Sequence, residues 1–443
     1  MAKLIPILKR GDPHTPSNYR PISILPYLSK ILEKIIYKRL INHFSINNII
    51  SPFQFGFRKN ISTLDVIVHF TEMIYDSLNK KETCLNILID FSKAFDTVNH
   101  DILLRKLNRY GVCGSALSWI RSYLMDREQY VSIGAEVSDS KITNISVPQG
   151  SVLGPLLFLI YINDLPNVSR TFSPTMFADD CTLSMIDKNI DAIVSNCNAE
   201  LARFESWAAC NRLSLNSDKT KCLMVSNIHT LNDVGNIYLA GRDLEFVTSS
   251  KFLGIFLDSE CRFDEHINYI CNKVSKSIGI LFRIRDFVPC SFLRTLYFSL
   301  IHPYFLYCLP IFGATYESHL SRIILLQKRA IRLISNTRYL DNTEPLFKRQ
   351  EILKFKDLYK HSVACFVYKN QNLLEEFSRT HNYNTRNRDL HLAPYERLRS
   401  TRQSVIHNGV KIWDEIPIHI RTCLTIDNFS NRYKTYLLSD YVS

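Results

Sequence analysis

Two segments of this chain that carry aspartates at strand ends constrain its fold more than any other feature. Residues 85–89 form an apolar run of the length of a buried strand, and the run ends abruptly at Asp90. Residues 175–185 hold two strand-favouring or apolar runs with Asp179 and Asp180 between them, which predicts a β-hairpin with both acids at its tip. Side by side, these strands would bring three carboxylates to one edge of a sheet.

Three neighbouring carboxylates are costly unless a cation neutralises them, because like charges a few ångströms apart raise each other's pKa. Mg²⁺ prefers oxygen ligands and keeps positions open for substrate phosphates. Two such ions about 4 Å apart can activate a hydroxyl nucleophile and stabilise the leaving oxygen of a phosphoryl displacement. An isolated Asp-Asp pair is more often a turn or a helix cap, but the strands on both sides favour a metal site for phosphoryl transfer.

A glycine-containing turn lies between the two acidic segments. Pro148 and Gly150 interrupt the preceding structure, and Gly154 with Pro155 can begin a helix, since proline suits the first helical turn. Each glycine alone is more simply explained as a turn. A glycine-rich turn before a packed helix also lets a nucleotide or nucleic acid approach the backbone closely.

These segments together resemble a known family. DFSKAFD at 90–96, PQGSVLGPLLF at 148–158 and FADD at 177–180 resemble motifs A, B and C of reverse transcriptases from non-LTR (LINE-type, jockey-like) retrotransposons. Further blocks follow the family's order over roughly 250 residues: IPILKRGD at 5–12, NYRPISIL at 18–25, QFGFRKNIST at 54–63, RLSLNSDKTK at 212–221 and FLGIFLD at 252–258. The first three resemble fingers motifs, and the last two resemble motif D and the primer grip.

The resemblance implies an α+β fold of the right-hand polymerase type, with fingers, a palm built on an antiparallel ferredoxin-like sheet, and a helical thumb. The predicted domains are fingers at 1–80 (N-terminally truncated), palm at 81–258 with a fingers insertion at about 100–145, thumb at 259–345 and a small basic C-terminal region at 346–443. No segment resembles the endonuclease of a complete element of this kind.

The resemblance also implies roles for the acidic residues. Asp90 and Asp179 would bind the metal directly, Asp180 would complete the cluster, and the carbonyl of Phe91 would also reach a metal. The implied cofactor is a pair of Mg²⁺ ions, or Mn²⁺ in their place.

Substrate roles carry over in the same way. Phe95 matches the steric gate that selects deoxynucleotides, although alone it is more simply a core aromatic. The remaining implied positions are Gln149 and Gly150 for the nucleotide pocket, Lys9 and Arg20 for the triphosphate by charge-assisted hydrogen bonds, and Lys219 as a general acid toward pyrophosphate. A surface lysine beside a turn is an almost equally good interpretation of Lys219.

Other residues are candidates for contacts with nucleic acid. Arg58 would contact the template backbone, or is a solvated arginine, and Gly254 would let the backbone approach the primer end. Arg322, Arg329 and Arg332 lie on one face of a predicted helix over 321–334. That helix could follow a template–primer duplex, or pack on one side and face water on the other.

Composition agrees with a polyanionic partner. The formal net charge is +12, and residues 318–443 hold 21 Lys and Arg against 12 Asp and Glu, which is +9 of that total.

No two of the 12 cysteines are close enough for a CxxC metal site, and no signal peptide or bilayer-spanning segment is evident. We therefore expect an intracellular protein, in the nucleus, the cytoplasm or both, that contacts no membrane; its oligomeric state stays open.

The resulting prediction is an enzyme, an RNA-directed DNA polymerase whose partners are an RNA template, a DNA primer and deoxynucleoside triphosphates. Two alternatives stay open. One is a related polymerase that makes RNA, against which Phe95 and the FADD block argue. The other is a truncated, catalytically inactive retroelement remnant that only binds nucleic acid.

Overall fold

A computed structural model describes residues 2–9, 11–227, 234–375, 391, 398 and 401–441. Its chain contacts divide the protein into two units. The first comprises Met1–Ser62, Leu85–Cys222 and Thr230–Val247, and the second comprises Thr63–Cys84, Leu223–His229 and Thr248–Ser443.

The strands within the described ranges are short. They are β1 (Ala2–Leu8), β2 (Tyr19–Ile24), β3 (Thr83–Ile89), β4 (Arg127–Ile133), β5 (Glu136–Val137), β6 (Lys141–Thr143), β7 (Ser173–Phe177), β8 (Asp180–Asp187), β9 (Lys221–Val225), β10 (Tyr238–Leu239), β11 (Arg242–Asp243), β12 (Glu245–Phe246), β13 (Ser249–Phe252) and β14 (Ile255–Asp258).

The helices carry more of the chain. They are α1 (Tyr27–Ile46), α2 (Thr63–Asn79), α3 (His100–Arg109), α4 (Gly114–Leu124), α5 (Gly154–Tyr161), α6 (Ile190–Cys210), α7 (Asp264–Ile284), α8 (Cys290–Leu300), α9 (His302–Leu306), α10 (Leu309–Phe312), α11 (Glu317–Ile334), α12 (Glu344–Arg349), α13 (Phe355–Lys369), α14 (Asn372–Glu375), α15 (Val405–Glu415), α16 (Ile418–Arg421) and α17 (Ile426–Ser439). None of the described helices is both long enough and apolar enough to cross a bilayer.

Local sequence signals explain where several helices begin. The side chain of Asn189 accepts from the N–H of Asp191 and Ala192 at the start of α6, and the side chain of Asn99 accepts from Ile102 N–H in α3. Helix α5 begins with Gly154-Pro155, as predicted from the sequence. Every α5 residue except Pro155 is buried, as expected of a helix that is apolar on all sides.

The main sheet has the strand order β12-β9-β3-β8-β7. Strand β3, at its centre, is buried along nearly its whole length, as its continuous apolar sequence predicts. Helix α6 packs against β8 with a buried side that includes Ile193, Leu201 and Phe204. This sheet positions all three aspartates.

One edge of this sheet departs from the predicted antiparallel arrangement. Strands β7 and β8 are antiparallel, but β12 runs parallel to β9, with Glu245 opposite Lys221 and Phe246 opposite Cys222. The physical reason is the connection: residues 226–244 separate the two strands, and a connection of that length allows a parallel crossover.

A second sheet in the first unit has the order β2-β1-β4-β5, with β6 also paired to β4. Strands β1 and β2 are antiparallel and place Arg20 opposite Ile7, near the end of β1. Strand β4 runs parallel to β1. The antiparallel β1–β2 pair carries Arg20, and Lys9 directly follows β1; both residues are predicted to meet a triphosphate.

The second unit is mostly helical. Its hairpin of β13 and β14 turns at Leu253 and Gly254, both with positive φ (44° and 92°), a conformation that suits glycine. Helix α11 packs against α7, and α13 packs against α15 and α17. Helix α2 belongs to this unit, whereas the sequence analysis placed residues 1–80 with the fingers; the predicted domain boundaries stay predictions.

Candidate active site

The hairpin of β7 and β8 carries Asp179 and Asp180, as predicted. Phe177 pairs with Asp180, so Ala178 and Asp179 form a two-residue turn. Ala178 has φ 56°, which is uncommon for a residue other than glycine. Both aspartates are exposed at the tip of the hairpin.

Asp90 follows directly after β3, the strand next to β8 in the sheet. Its N–H donates to Thr220 Oγ1 (3.2 Å), and its C=O accepts from the N–H of Asn216 (2.9 Å). Two residues later, the N–H of Ser92 donates to the C=O of Ser214 (2.8 Å). The motif D segment therefore fixes the backbone that carries Asp90.

A cavity of about 1290 Å³ lies within the first unit at this sheet edge. Ten of the residues with predicted roles line it, although they come from six separate blocks of the sequence: Lys9, Arg20, Asp90, Phe91, Phe95, Gln149, Gly150, Asp179, Asp180 and Lys219. The structure therefore brings the predicted catalytic and substrate residues together in one place.

The carboxylates in the cavity are electrostatically coupled. Loss of hydration, followed by the negative charges of Asp179 and Asp90, raises the pKa of Asp180 from an ordinary 3.8 to about 6. The Asp180 side chain still reaches solvent, so water screens part of this effect. Clustered hard oxygen donors with excess negative charge are chemically suited to a divalent cation. Among the described residues, no group of three His, Cys, Asp or Glu side chains has an arrangement that could hold a metal ion.

Asp180→Asn should raise the free energy of unfolding at pH 8, without divalent cations, by about 1 kcal/mol after allowance for solvent screening. Because the pKa of Asp180 is higher in the folded state, the wild-type fold loses stability as pH rises from about 4 to about 6. Urea unfolding at pH 5 and pH 8 should therefore show a larger gain at pH 8. Asp139→Asn, at an exposed residue outside the cavity, should show no such difference, and an equal Asp180→Asn gain at both pH values would contradict the assignment.

The nucleotide side of the cavity is built on Gln149 and Gly150. The backbone C=O of Gln149 accepts from Ser23 N–H (2.7 Å), and its Nε2 donates to Asp96 Oδ1 (2.7 Å). Gly150 has φ 111°, and a Cβ there would lie 2.7 Å from the carbonyl oxygen of Ser23. Only glycine fits this turn without displacing β2.

Asp96 is a cavity residue to which the sequence analysis gave no role. Burial raises its pKa, while the hydrogen bond from Gln149 and the positive charges of Lys93, Lys9 and Arg20 act in the opposite direction. Lys9 and Arg20 are exposed, and neither makes an ion pair among the described residues. Their charges therefore remain available to an anionic ligand. The position of Asp96 within the DFSKAFD block was the available signal for it.

Two aromatic residues complete this part of the cavity. The ring of Phe95 stacks on Phe158 of α5, with centroids 4.4 Å apart and planes at 28°. The ring of Phe91 lies 6.2 Å from that of Phe204. Lys219 is exposed at the cavity wall, and its N–H donates to the C=O of Asn216 (3.3 Å).

The predicted nucleic-acid contacts lie outside the cavity. Arg58 is half-buried and donates from Nη1 to the C=O of Gln54 (3.1 Å). Gly254 occupies the hairpin turn of the second unit, where a Cβ would lie 3.1 Å from the ring of Tyr307. Their contacts with nucleic acid stay predictions.

The three arginines of α11 differ in their surroundings. Arg322 hydrogen-bonds to Asn268, and Arg332 donates from Nε to the C=O of Asp341 (2.9 Å). Arg329 is exposed. The opposite face of α11 is buried as predicted, through Ile323, Gln327, Ala330, Ile331 and Ile334.

Sequence reasoning also missed Glu33, a buried carboxylate that is 1% exposed. Its Oε2 accepts from the N–H groups of Val152 (2.6 Å) and Leu153 (3.3 Å), just ahead of α5. A carboxylate is favourable at a helix amino terminus, where N–H groups lack partners within the helix. Glu33 is the only acidic residue in α1, and this single acid in a helix rich in apolar and basic residues is the feature of the sequence that could have indicated its role.

Glu33→Ala should lower the free energy of unfolding by about 2 kcal/mol, because one buried and one partly buried N–H group lose a charged acceptor. Glu33→Gln, which keeps an acceptor oxygen, should cost less. Urea denaturation measures both. Glu128→Ala, at an exposed acid on β4, is the control and should stay within about 0.5 kcal/mol of wild type. An equal effect of Glu33→Ala and Glu128→Ala would argue against this role.

Comparisons with known proteins identify the family to which the chain is similar. The family model described as "Reverse transcriptase (RNA-dependent DNA polymerase)" matches residues 7–257. The chain is 30% identical over 418 residues to a probable RNA-directed DNA polymerase from transposon BS of Drosophila melanogaster, covering 90% of this chain and 44% of that protein. It is 30% identical over 372 residues to the RNA-directed DNA polymerase from mobile element jockey of the same species, covering 80% and 40%.

The chain thus spans less than half the length of these curated relatives. Among solved structures, telomerase from Candida tropicalis in complex with a fragment of telomeric RNA is 10% identical, with a TM-score of 0.47, covering all of this chain and 64% of that one.

The family match covers more than half of the chain. Together with these relatives, it confirms the resemblance to non-LTR retrotransposon polymerases and the predicted α+β right-hand polymerase fold. This chain belongs to the reverse transcriptase family.

Proposed function

We propose that this chain is an RNA-directed DNA polymerase of a non-LTR retrotransposon, which adds deoxynucleotides to the 3′-hydroxyl of a primer. One observation carries the proposal. Three coupled carboxylates line the same cavity as Lys9 and Arg20, which make no ion pair among the described residues, together with the turn at Gln149 and Gly150. A nucleoside triphosphate is a substrate that needs both carboxylates and cationic side chains. The carboxylates hold the metal ions that contact its phosphates, and the cationic side chains neutralise the charge of those phosphates.

Asp90, Asp179 and Asp180 are the residues that would hold two Mg²⁺ ions, or Mn²⁺. Such ions supply activation of the primer hydroxyl and stabilisation of the leaving oxygen when bound. The electrostatic coupling of Asp180 to both other aspartates supports this assignment, because a divalent cation would relieve the repulsion among their negative charges.

The other cavity residues have complementary roles in this proposal. Lys9 and Arg20 bind the triphosphate, and Asp96 orients the side chain of Gln149 toward the nucleotide. Phe95 lies under the sugar and excludes a 2′-hydroxyl. Lys219 donates a proton to the departing pyrophosphate as a general acid.

The partners in this proposal are an RNA template, a DNA primer and deoxynucleoside triphosphates. Arg58, Gly254, Arg322, Arg329 and Arg332 are proposed to contact the nucleic acid, and the concentration of positive charge in residues 318–443 supports a polyanionic partner. The proposed domains are those given by the sequence analysis, and the proposed location is inside the cell, in the nucleus, the cytoplasm or both.

The test is primer extension by the purified chain on an RNA template with an annealed DNA primer, deoxynucleoside triphosphates and Mg²⁺. We expect extension that depends on the template and on the divalent ion. Binding of RNA without extension, in either Mg²⁺ or Mn²⁺, would instead identify a remnant that only binds nucleic acid.

A further inference from the structure

We infer that Gln54, in the QFGF segment at residues 54–57, is a positioning residue that fixes the turn carrying Asp179. Its consequence for metal binding rests on the proposed function, but its effect on the turn does not. By sequence this segment resembles only a fingers motif of the family, and none of its residues lines the cavity.

The segment behaves as one more short strand beside β7. Met176 N–H donates to the C=O of Phe53 (3.0 Å), and Phe55 N–H donates to the C=O of Met176 (2.9 Å). Gln54 and Met176 form a parallel bridge. The backbone immediately ahead of the Ala178–Asp179 turn is therefore paired on the side away from β8.

The side chain of Gln54 extends this pairing to the turn itself. Its Oε1 accepts from the N–H of Ala178 (3.1 Å) and from the N–H of Gly56 (2.8 Å). Gln54 is fully buried, at 0% exposure, and Ala178 is buried too. Water therefore cannot replace this acceptor easily, and its removal would leave two buried donors unsatisfied.

Ala178 needs such support because it has φ 56°. A residue other than glycine keeps a left-handed conformation only where its surroundings fix it. The hydrogen bond from Ala178 N–H to Gln54 holds the first residue of the two-residue turn, and Asp179 is the second.

Gly56 makes the close approach feasible. A Cβ at this position would lie 2.4 Å from the N of Ala178 and 3.0 Å from the carbonyl carbon of Phe177. Both are backbone atoms, which cannot rotate away as a side chain could. Any larger residue at 56 must therefore push the catalytic turn and the QFGF segment apart.

Arg58 holds the same segment from its other end, through the hydrogen bond from its Nη1 to the C=O of Gln54. Among the described residues, Nε2 of Gln54 has no hydrogen-bond partner although it is buried. The acceptor oxygen is thus the end of the Gln54 side chain that positions the turn. Substitutions at residue 54 that keep this oxygen should therefore behave differently from those that remove it.

The test uses the whole chain and compares Gln54→Leu and Gln54→Asn, which remove or withdraw the acceptor, with Gln54→Glu, which keeps it. The first readout is hydrogen exchange of peptides covering residues 173–187, which requires no activity. The second is Mn²⁺ binding followed by electron paramagnetic resonance, with Asp179→Asn defining the specific component. Primer extension by wild type is measured separately, so a failure of the proposed function is recognised independently.

We expect faster exchange at the turn and about tenfold weaker Mn²⁺ binding in Gln54→Leu and Gln54→Asn, as is typical when support for a metal ligand is removed. Gln54→Glu should stay within about twofold of wild type. Gln327→Leu is the matched control, because Gln327 is a buried glutamine that also makes two side-chain hydrogen bonds, in the second unit. It should change neither readout.

If Gln54→Leu does not fold, Gln54→Asn gives the same comparison with a smaller change. Gly56→Ala keeps the acceptor but should also speed exchange at the turn, because its Cβ would press on the backbone of Phe177 and Ala178. The inference is overturned by folded Gln54→Leu or Gln54→Asn protein with wild-type exchange and wild-type Mn²⁺ affinity. It is also overturned if Gln54→Glu is as defective as Gln54→Leu, or if Gln327→Leu reproduces the effect.

Discussion

Asp179→Asn is expected to lower primer extension by at least about a thousandfold, since loss of metal-based transition-state stabilisation is worth several kcal/mol. The substitution keeps the size of the side chain and one of its oxygens but removes the negative charge. Asp179 is exposed at the hairpin tip, so the fold should tolerate the amide. The same change removes a charge that raises the pKa of Asp180, and the pKa of Asp180 should therefore fall in the variant.

Single-turnover extension of a labelled primer measures this effect, because it isolates the chemical step from product release. RNA binding by the variant, measured by fluorescence anisotropy, should stay close to wild type. Asp139→Asn again serves as the control at an exposed aspartate outside the cavity and should extend the primer within about twofold of wild type. Extension by Asp179→Asn at the wild-type rate would exclude Asp179 as a metal ligand.

Features that depend on neighbours along the chain were predictable from the sequence. The hairpin that carries Asp179 and Asp180 follows from two strand-forming runs with a polar pair between them, although the turn itself lies one residue earlier than that pair, at Ala178 and Asp179. The burial of β3 follows from its continuous apolar sequence. The buried face of α11 follows from helical periodicity. In each case the pattern is local, and the side-chain period of the element decides which residues face the core.

Features that depend on distant partners were not predictable in the same way. Gln54 accepts from a residue 124 positions away, and Glu33 accepts from one 119 positions away. The hydrophobic periodicity of a segment predicts whether such a side chain is buried or exposed, but it does not identify the hydrogen-bond partner of that side chain. Both are polar residues that a core tolerates only when they are hydrogen-bonded. The parallel β12 edge was missed for a related reason, since a two-residue strand carries too little pattern to show its direction.

Arg58 illustrates the same limit for a charged residue. The family resemblance gave it a contact with the template backbone, and that contact stays a prediction. The structure adds a hydrogen bond from its Nη1 to the C=O of Gln54, a partner that periodicity along the chain does not identify.

Phe95→Val is expected to reduce the preference for deoxynucleotides over ribonucleotides by about tenfold to a hundredfold. A purely steric pocket that must reject one added hydroxyl group supplies discrimination of about that size. The ring of Phe95 is half-buried at the cavity wall and stacks on Phe158, which belongs to the buried helix α5. Because Phe158 supports the ring from behind, the ring cannot move aside for a 2′-hydroxyl. Valine is shorter and would leave space for that hydroxyl while retaining an apolar surface.

The measurement is the ratio of kcat/KM for a deoxynucleotide to that for the matching ribonucleotide, on one RNA template and one primer. Extension with the deoxynucleotide should change little, because the proposed contacts of Lys9, Arg20 and Gln149 with the nucleotide are untouched. Phe172→Val provides the control, since Phe172 is a buried aromatic of the first unit that lies outside this cavity. It should lower stability and leave the ratio unchanged. A wild-type ratio in Phe95→Val would assign Phe95 to the core alone, and sugar selection would then have to come from another residue of the cavity.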